Sequence, residues 1–135
     1  AWGYGAGKSE DLLGQLIRAN PEKKLFTATK IPPKNFIWPS QRQFTLDDCF
    51  PPDHIQKYVE SSLNNAGLQS FDLMQFHTWE DNWLRDDRWA NKMDDLRRQG
   101  LIQIFQDYCL SDRSRCADCP FPAALRDYAA RSSRK

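Results

Sequence analysis

Residues 71–77 read FDLMQFH. Phe71, Leu73, Met74 and Phe76 make this a short, mostly apolar run of the kind that forms a buried strand, and Thr78-Trp79-Glu80 turns polar at once. His77 therefore falls at the carboxyl end of a strand. A helical pattern precedes this strand and another follows it, which makes it the middle of a βαβ series. In parallel α/β folds the loops that bind substrate leave the sheet at that end. His77 is thus a candidate functional residue.

On the amino-terminal side, Pro51-Pro52-Asp53 opens a helix with Ile55, Tyr58, Val59, Ser62 and Leu63 on one face, and Gly67 closes it. Residues 32–50 show no period and read as a long loop over the strand ends. Before them, Lys24 to Ile31 (KLFTATKI) has the β-branched and aromatic content of a strand and stops at Pro32-Pro33, which puts Lys30 at a carboxyl end like His77. Ala1 to Glu10 is a glycine-rich turn into a helix expected over about Ser9 to Ala19. Ser9 is the expected N-cap, Glu10 is favourable near the positive helix end, and Asn20-Pro21 is the stop.

On the carboxyl side, residues 78–86 form a polar, Trp-rich loop. A helix from Asp87 to Gln99 carries Trp89, Met93 and Leu96 at helical spacing before Gly100, and Leu101 to Phe105 (LIQIF) is the next strand. Strand, helix, strand, helix, strand at this rhythm implies an α/β domain with a parallel sheet. Past Phe105 the character changes. Residues 106–135 read as a divergent polar and basic tail, with a weak helix around Ala123 to Ala130 and the basic end Arg131 to Lys135.

The 135 residues carry a net charge of +1, with 40% hydrophobic and 27% charged residues, an ordinary globular composition that steers toward neither nucleic acid nor acidic lipid. No apolar run approaches the roughly 20 residues of a membrane helix, so no membrane partner is expected. Four cysteines at irregular spacing do not form a secreted disulfide framework, and the expected location is cytoplasmic. Cys116-Ala-Asp-Cys119, with Cys109 upstream, has no second ligand pair for zinc and reads as free thiols; no metal is expected. GYGAGKSE is not a Walker A loop, because the position five before Gly7 is Trp2. It is not a GxGxxG either, since Lys8 and Glu10 stand where the last Gly would be.

Tyr4 in the first loop, Lys30 closing one strand and His77 closing the next would converge if those strands are neighbours. A phenol, an ammonium and an imidazole together make a proton-donating site. The free phenol titrates near ~10, so a nearby cation is needed for it to give up a proton usefully. Trp38, Trp79 and Trp83 are candidates for a substrate pocket at the strand ends, with packing the equal alternative. Trp89 fits the core.

The series YGAGKSEDLLG, FTATKIPP, PPDHIQKYVESSLNNAGLQSFDLMQFH and LRRQGLIQ resembles the amino-terminal half of an aldo/keto reductase. That resemblance implies part of a (β/α)8 barrel over residues 1–105, with three parallel strands alternating with helices, and NADPH-dependent reduction of a small aldehyde or ketone. It also implies Tyr4 as general acid, Lys30 lowering its pKa and His77 orienting the carbonyl. Two departures accompany it. Ala1 matches the end of the family's Asp-Thr-Ala strand, which places the fourth catalytic residue before the first residue shown. After LIQIF the family's Gly, Ser and Asn for the nicotinamide are replaced by Gln106 to Leu110, so most of the NADPH site is expected to be absent. The expectation is a reductase fragment of doubtful activity. The alternative is a non-catalytic α/β interaction module that self-associates through open sheet edges as a homo-oligomer.

Overall fold

A computed structural model describes residues 1–105; the expectations for the thiols at 109, 116 and 119 and for the tail lie outside the described residues. Helix α1 spans Lys8–Arg18. It starts earlier than Ser9 because Gly7, at φ 92, supplies the left-handed entry. Ser9 is not the N-cap. Its Oγ accepts from the Ala1 amine at 2.9 Å and donates to the Ala1 carbonyl at 2.7 Å.

Strand β1 is Ala28–Ile31, shorter than the expected Lys24–Ile31. Thr27 just before it is anchored differently: its N–H and Oγ1 both donate to Asp72 Oδ2, at 2.7 and 2.8 Å. The loop after β1 holds a short helix, α2, at Leu46–Cys49, closed by a reciprocal cap between Thr45 and Asp48. Helix α3 runs Pro52–Ala66, with proline in its first turn and Gly67 at φ 66 ending it. Strand β2 is Phe71–Phe76; a 3-10 helix at Asp81–Arg85 lies in the following loop. Helix α4 is Arg88–Arg98 and strand β3 is Ile102–Phe105.

The strands form one parallel sheet in the order β1-β2-β3, with Lys30 opposite Gln75 and Ile31 opposite Phe76. Parallel neighbours need a crossover, and α3 and α4 supply the two. Along β1, Thr29 and Ile31 are buried while Ala28 is exposed and Lys30 half-buried, so one face is covered and the other is not. The covered face meets the helical layer, in which α1 packs on α3 and α3 on α4. Ile31, Phe50, Val59, Met74, Met93 and Leu96 fill the space between. Among the described residues no strand pairs with the outer edge of β1, so the sheet is open and the barrel is partial. No helix among them is long and apolar enough to cross a membrane.

The α1–α3 contact depends on Gly14. A Cβ there would drive into the Ala66 carbonyl, the same oxygen that accepts from Arg18 Nη1 at 3.2 Å. At an exposed helical site Gly→Ala stabilises by roughly 0.4–1 kcal/mol. Here Gly14→Ala is expected to destabilise by about 1–3 kcal/mol through overpacking. Urea unfolding followed by circular dichroism reads the sign, and a stabilised variant would contradict this packing.

Candidate active site

The parallel register brings the carboxyl ends of β1 and β2 to one side of the sheet. His77 follows β2 directly, and its N–H donates to the Ile31 carbonyl at 3.0 Å, extending the β1–β2 ladder by one bond. Lys30, on the uncovered face of β1, lies beside Gln75 two residues earlier. Above them the first loop curls back through bonds from Tyr4 N–H to Ala1 O at 3.0 Å and from Gly7 N–H to Trp2 O at 2.9 Å.

The His77 ring sits between two aromatic rings, Tyr4 at 5.5 Å and Trp38 at 5.3 Å between centroids, both edge-on. Gly3 closes the gap beneath: a Cβ there would stand 3.4 Å from His77 Cε1 and 3.6 Å from Trp38 Cζ2. Nδ1 of His77 is buried with no hydrogen-bond partner among the described residues. A buried lone pair is tolerated better than a buried orphan N–H, so the neutral ring carries its proton on Nε2. Charging the ring would place a second proton on the partnerless Nδ1. Burial accordingly holds the His77 pKa below its ordinary value, and the Lys30 ammonium pushes the same way. Near neutral pH His77 is an uncharged hydrogen-bond donor.

Lys30 is half-buried and has no carboxylate partner among the described residues. Tyr4 is 59% exposed, with its ring turned against the imidazole. The structure thus places a phenol on the imidazole, with a cation close enough to act on that imidazole.

The tryptophans divide. Trp38 is half in solvent beside His77 and also meets Phe36 at 6.1 Å, while Phe36 continues to Trp2 at 5.7 Å. Trp79 borders a cavity of about 510 Å³ with Arg42, Glu80, Asp81 and Asn82. Trp83 takes the packing alternative: only 2% exposed, it packs on Phe50 at 5.6 Å and donates Nε1 to Phe44 O at 2.8 Å, so it belongs to the core. Trp89 is in the core as its spacing implied.

Asp47 and Asp86 both receive Arg88, the former at 2.9 and 3.0 Å, which ties α2 to the start of α4. The backbone N–H and hydroxyl of Thr45 hold the Asp48 carboxyl below its usual range. Sequence reasoning missed Trp2 and Phe36 as parts of the ring wall, for an aromatic in an aperiodic loop carries no signal of where it lands. The Thr45-Leu-Asp-Asp48 cap of α2 was legible as a capping pattern.

A family model for aldo/keto reductases matches residues 1–106. The chain belongs to the aldo/keto reductase family. Solved structures agree in fold. A thermostable aldo-keto reductase in complex with the inhibitor epalrestat superposes with a TM-score of 0.58 at 23% identity, over 76% of this chain and 32% of its own. The glycerol dehydrogenase of Gluconobacter oxydans gives 0.58 at 28% identity, over 76% and 30%. The chain therefore spans about a third of these reductases, which are closed barrels where this sheet is open. Comparison with curated proteins finds no match.

Both histidines of this aldo/keto reductase chain are depressed by burial. At His54 the Lys57 and Lys34 charges add to that effect and the Pro32 carbonyl, 2.7 Å from Nε2, opposes it. Below the ordinary value of 6.5 the unfolded chain binds protons that the folded chain refuses, so stability falls as pH drops through that value. The lowered carboxylates Asp48, Asp86 and Asp94 contribute stability that is lost only as pH falls below about 5, outside this window. Tm is expected to decline from pH 7 to pH 5, with a shallower decline in His77→Gln. A flat or rising Tm over that range would contradict the assignment.

Proposed function

We propose that residues 1–105 carry the carbonyl-polarising half of an aldo/keto reductase active site. Tyr4 is the proton donor, Lys30 the cation that eases its ionisation, and His77 the neutral donor that orients the carbonyl oxygen. The observation behind this reading is the contact of the Tyr4 ring with an imidazole whose buried Nδ1 has no partner among the described residues, which leaves Nε2 as the ring's donor. Two hydrogen-bond donors on one oxygen stabilise the negative charge that develops there when hydride reaches the carbon. Trp38 supplies the apolar wall beside that oxygen, and Trp79 lines the cavity farther along the loop. The substrate is a small aldehyde or ketone, and the expected setting is the cytoplasm.

In this reading NADPH is the hydride source of the whole enzyme. Two cavities among the described residues are each edged by two carboxylates beside one cation, Glu80 and Asp81 with Arg42 in one and Asp47 and Asp48 with Lys34 in the other, an acidic balance that does not favour a polyanion. The role assigned to the described residues is the carbonyl end of the reaction. A second reading has its own observation. Among the described residues no strand pairs with the outer edge of β1, and Leu12 and Leu16 on α1 are 55% and 54% exposed, which suits a module that joins another copy.

Carbonyl reduction by the chain with NADPH tests the first reading, with Tyr4→Phe as control. With the NADPH site completed from outside the described residues, turnover is expected to fall by roughly 10²–10⁴-fold in Tyr4→Phe, the usual contribution of a general acid, while NADPH quenching of tryptophan fluorescence persists. Turnover that survives the substitution would overturn the role of Tyr4. Concentration-dependent oligomers without NADPH binding would favour the second reading.

A further inference from the structure

The largest buried polar feature lies outside the ring cluster. Glu10, in the first turn of α1, is 1% exposed. Its Oε1 accepts from Thr29 Oγ1 at 2.6 Å and Ser62 Oγ at 2.7 Å, and its Oε2 accepts from Asn65 Nδ2 at 3.1 Å. No cation is bonded to it among the described residues; three neutral donors hold the carboxylate. Such a group is costly to bury unless its hydrogen bonds are complete, so these donors fix the place of α1.

Two of the proposed site groups depend on that place. Thr29 immediately precedes Lys30 in β1, with its side chain on the helix-covered face and Lys30 on the other. On the other side of Glu10, the loop bearing Tyr4 is bonded to itself and to α1. The Ser9 hydroxyl binds Ala1, the Glu10 N–H donates to Gly7 O at 3.0 Å, and a Cβ at Gly7 would drive into the Asn65 amide. β1, α1 and α3 therefore meet at one oxygen pair, and the loop lies against Asn65 beside it.

We propose that Glu10 is a positioning residue, a buried acceptor that sets the Tyr4 loop against Lys30 and His77; this rests on the reading of Tyr4 and His77 as site residues. It touches neither substrate nor cofactor and acts through Thr29 and the turn.

The chain holds two histidines, and proton NMR of the imidazole signals follows each separately once His77→Gln has assigned them. His54, on α3 beside Tyr58, reports whether the fold persists. In Glu10→Ala the His77 signal is expected to move, as the Tyr4 ring departs, and its titration midpoint to rise toward 6.5 as water enters, while His54 is unchanged. Glu10→Gln, whose amide oxygen can still accept from Thr29 and Ser62, is expected to restore both. An unaltered His77 in folded Glu10→Ala would overturn the proposal. If Glu10→Ala unfolds, so that both signals collapse together, Thr29→Val deletes one bond at nearly constant volume and decides in the same way: a displaced His77 signal supports the role, an unmoved one ends it. Neither NADPH nor a carbonyl is present, so this result stands apart from the turnover test of Tyr4.

Discussion

Parallel pairing of β1 with β2 is the constraint from which the rest follows. Two strands that run the same way end on the same side, so the register that sets Ile31 opposite Phe76 also sets Lys30 and His77 at one rim. The same pairing forbids a tight turn between the strands and requires the long excursion through α2 and α3. That excursion serves two purposes. Its helix covers one face of the sheet, and its loop carries Trp38 back over the strand ends to the His77 ring.

The layer beneath the rim is held by two different means. Around Trp83 it is aromatic: Phe50, Phe76, Trp79 and Trp89 meet one another at centroid separations between 4.5 and 6.1 Å, and the indole N–H of Trp83 is satisfied by Phe44 O. Aromatic pairs of this kind hold a loop by area and by edge-to-face geometry. Around Glu10 it is polar, and the contact works only when each donor is in place. The aromatic side fastens the loops after β1 and β2 to each other, and the polar side fastens α1 to β1 and α3.

The rim is cationic and apolar where the neighbouring cavities are acidic. In the proposed reading, Lys30 and His77, with Trp38 and Tyr4 as walls, present hydrogen-bond donors to an acceptor oxygen such as that of a carbonyl. The neutral imidazole follows from the same surroundings, because burial and a nearby ammonium both oppose a second proton.

Much of the architecture was legible in the chain because its signals are local. Apolar spacing over Ile55, Tyr58, Val59 and Leu63, the stop at Gly67 and the apolar run from Phe71 to Phe76 each depend on residues within a turn or two. So did the positions of Lys30 and His77 at strand ends. What the tertiary structure alone decided was partnership across distance. The bonds of Glu10 join residues 19, 52 and 55 positions apart, and nothing near Glu10 in the sequence distinguishes it from a solvated carboxylate at a helix start. Likewise Trp83, Trp79 and Trp38 are the same residue type in similar loops, and only packing made one core, one a cavity edge and one the wall of His77. Periodicity encodes which side of an element is apolar; which groups meet there is set when the elements are stacked.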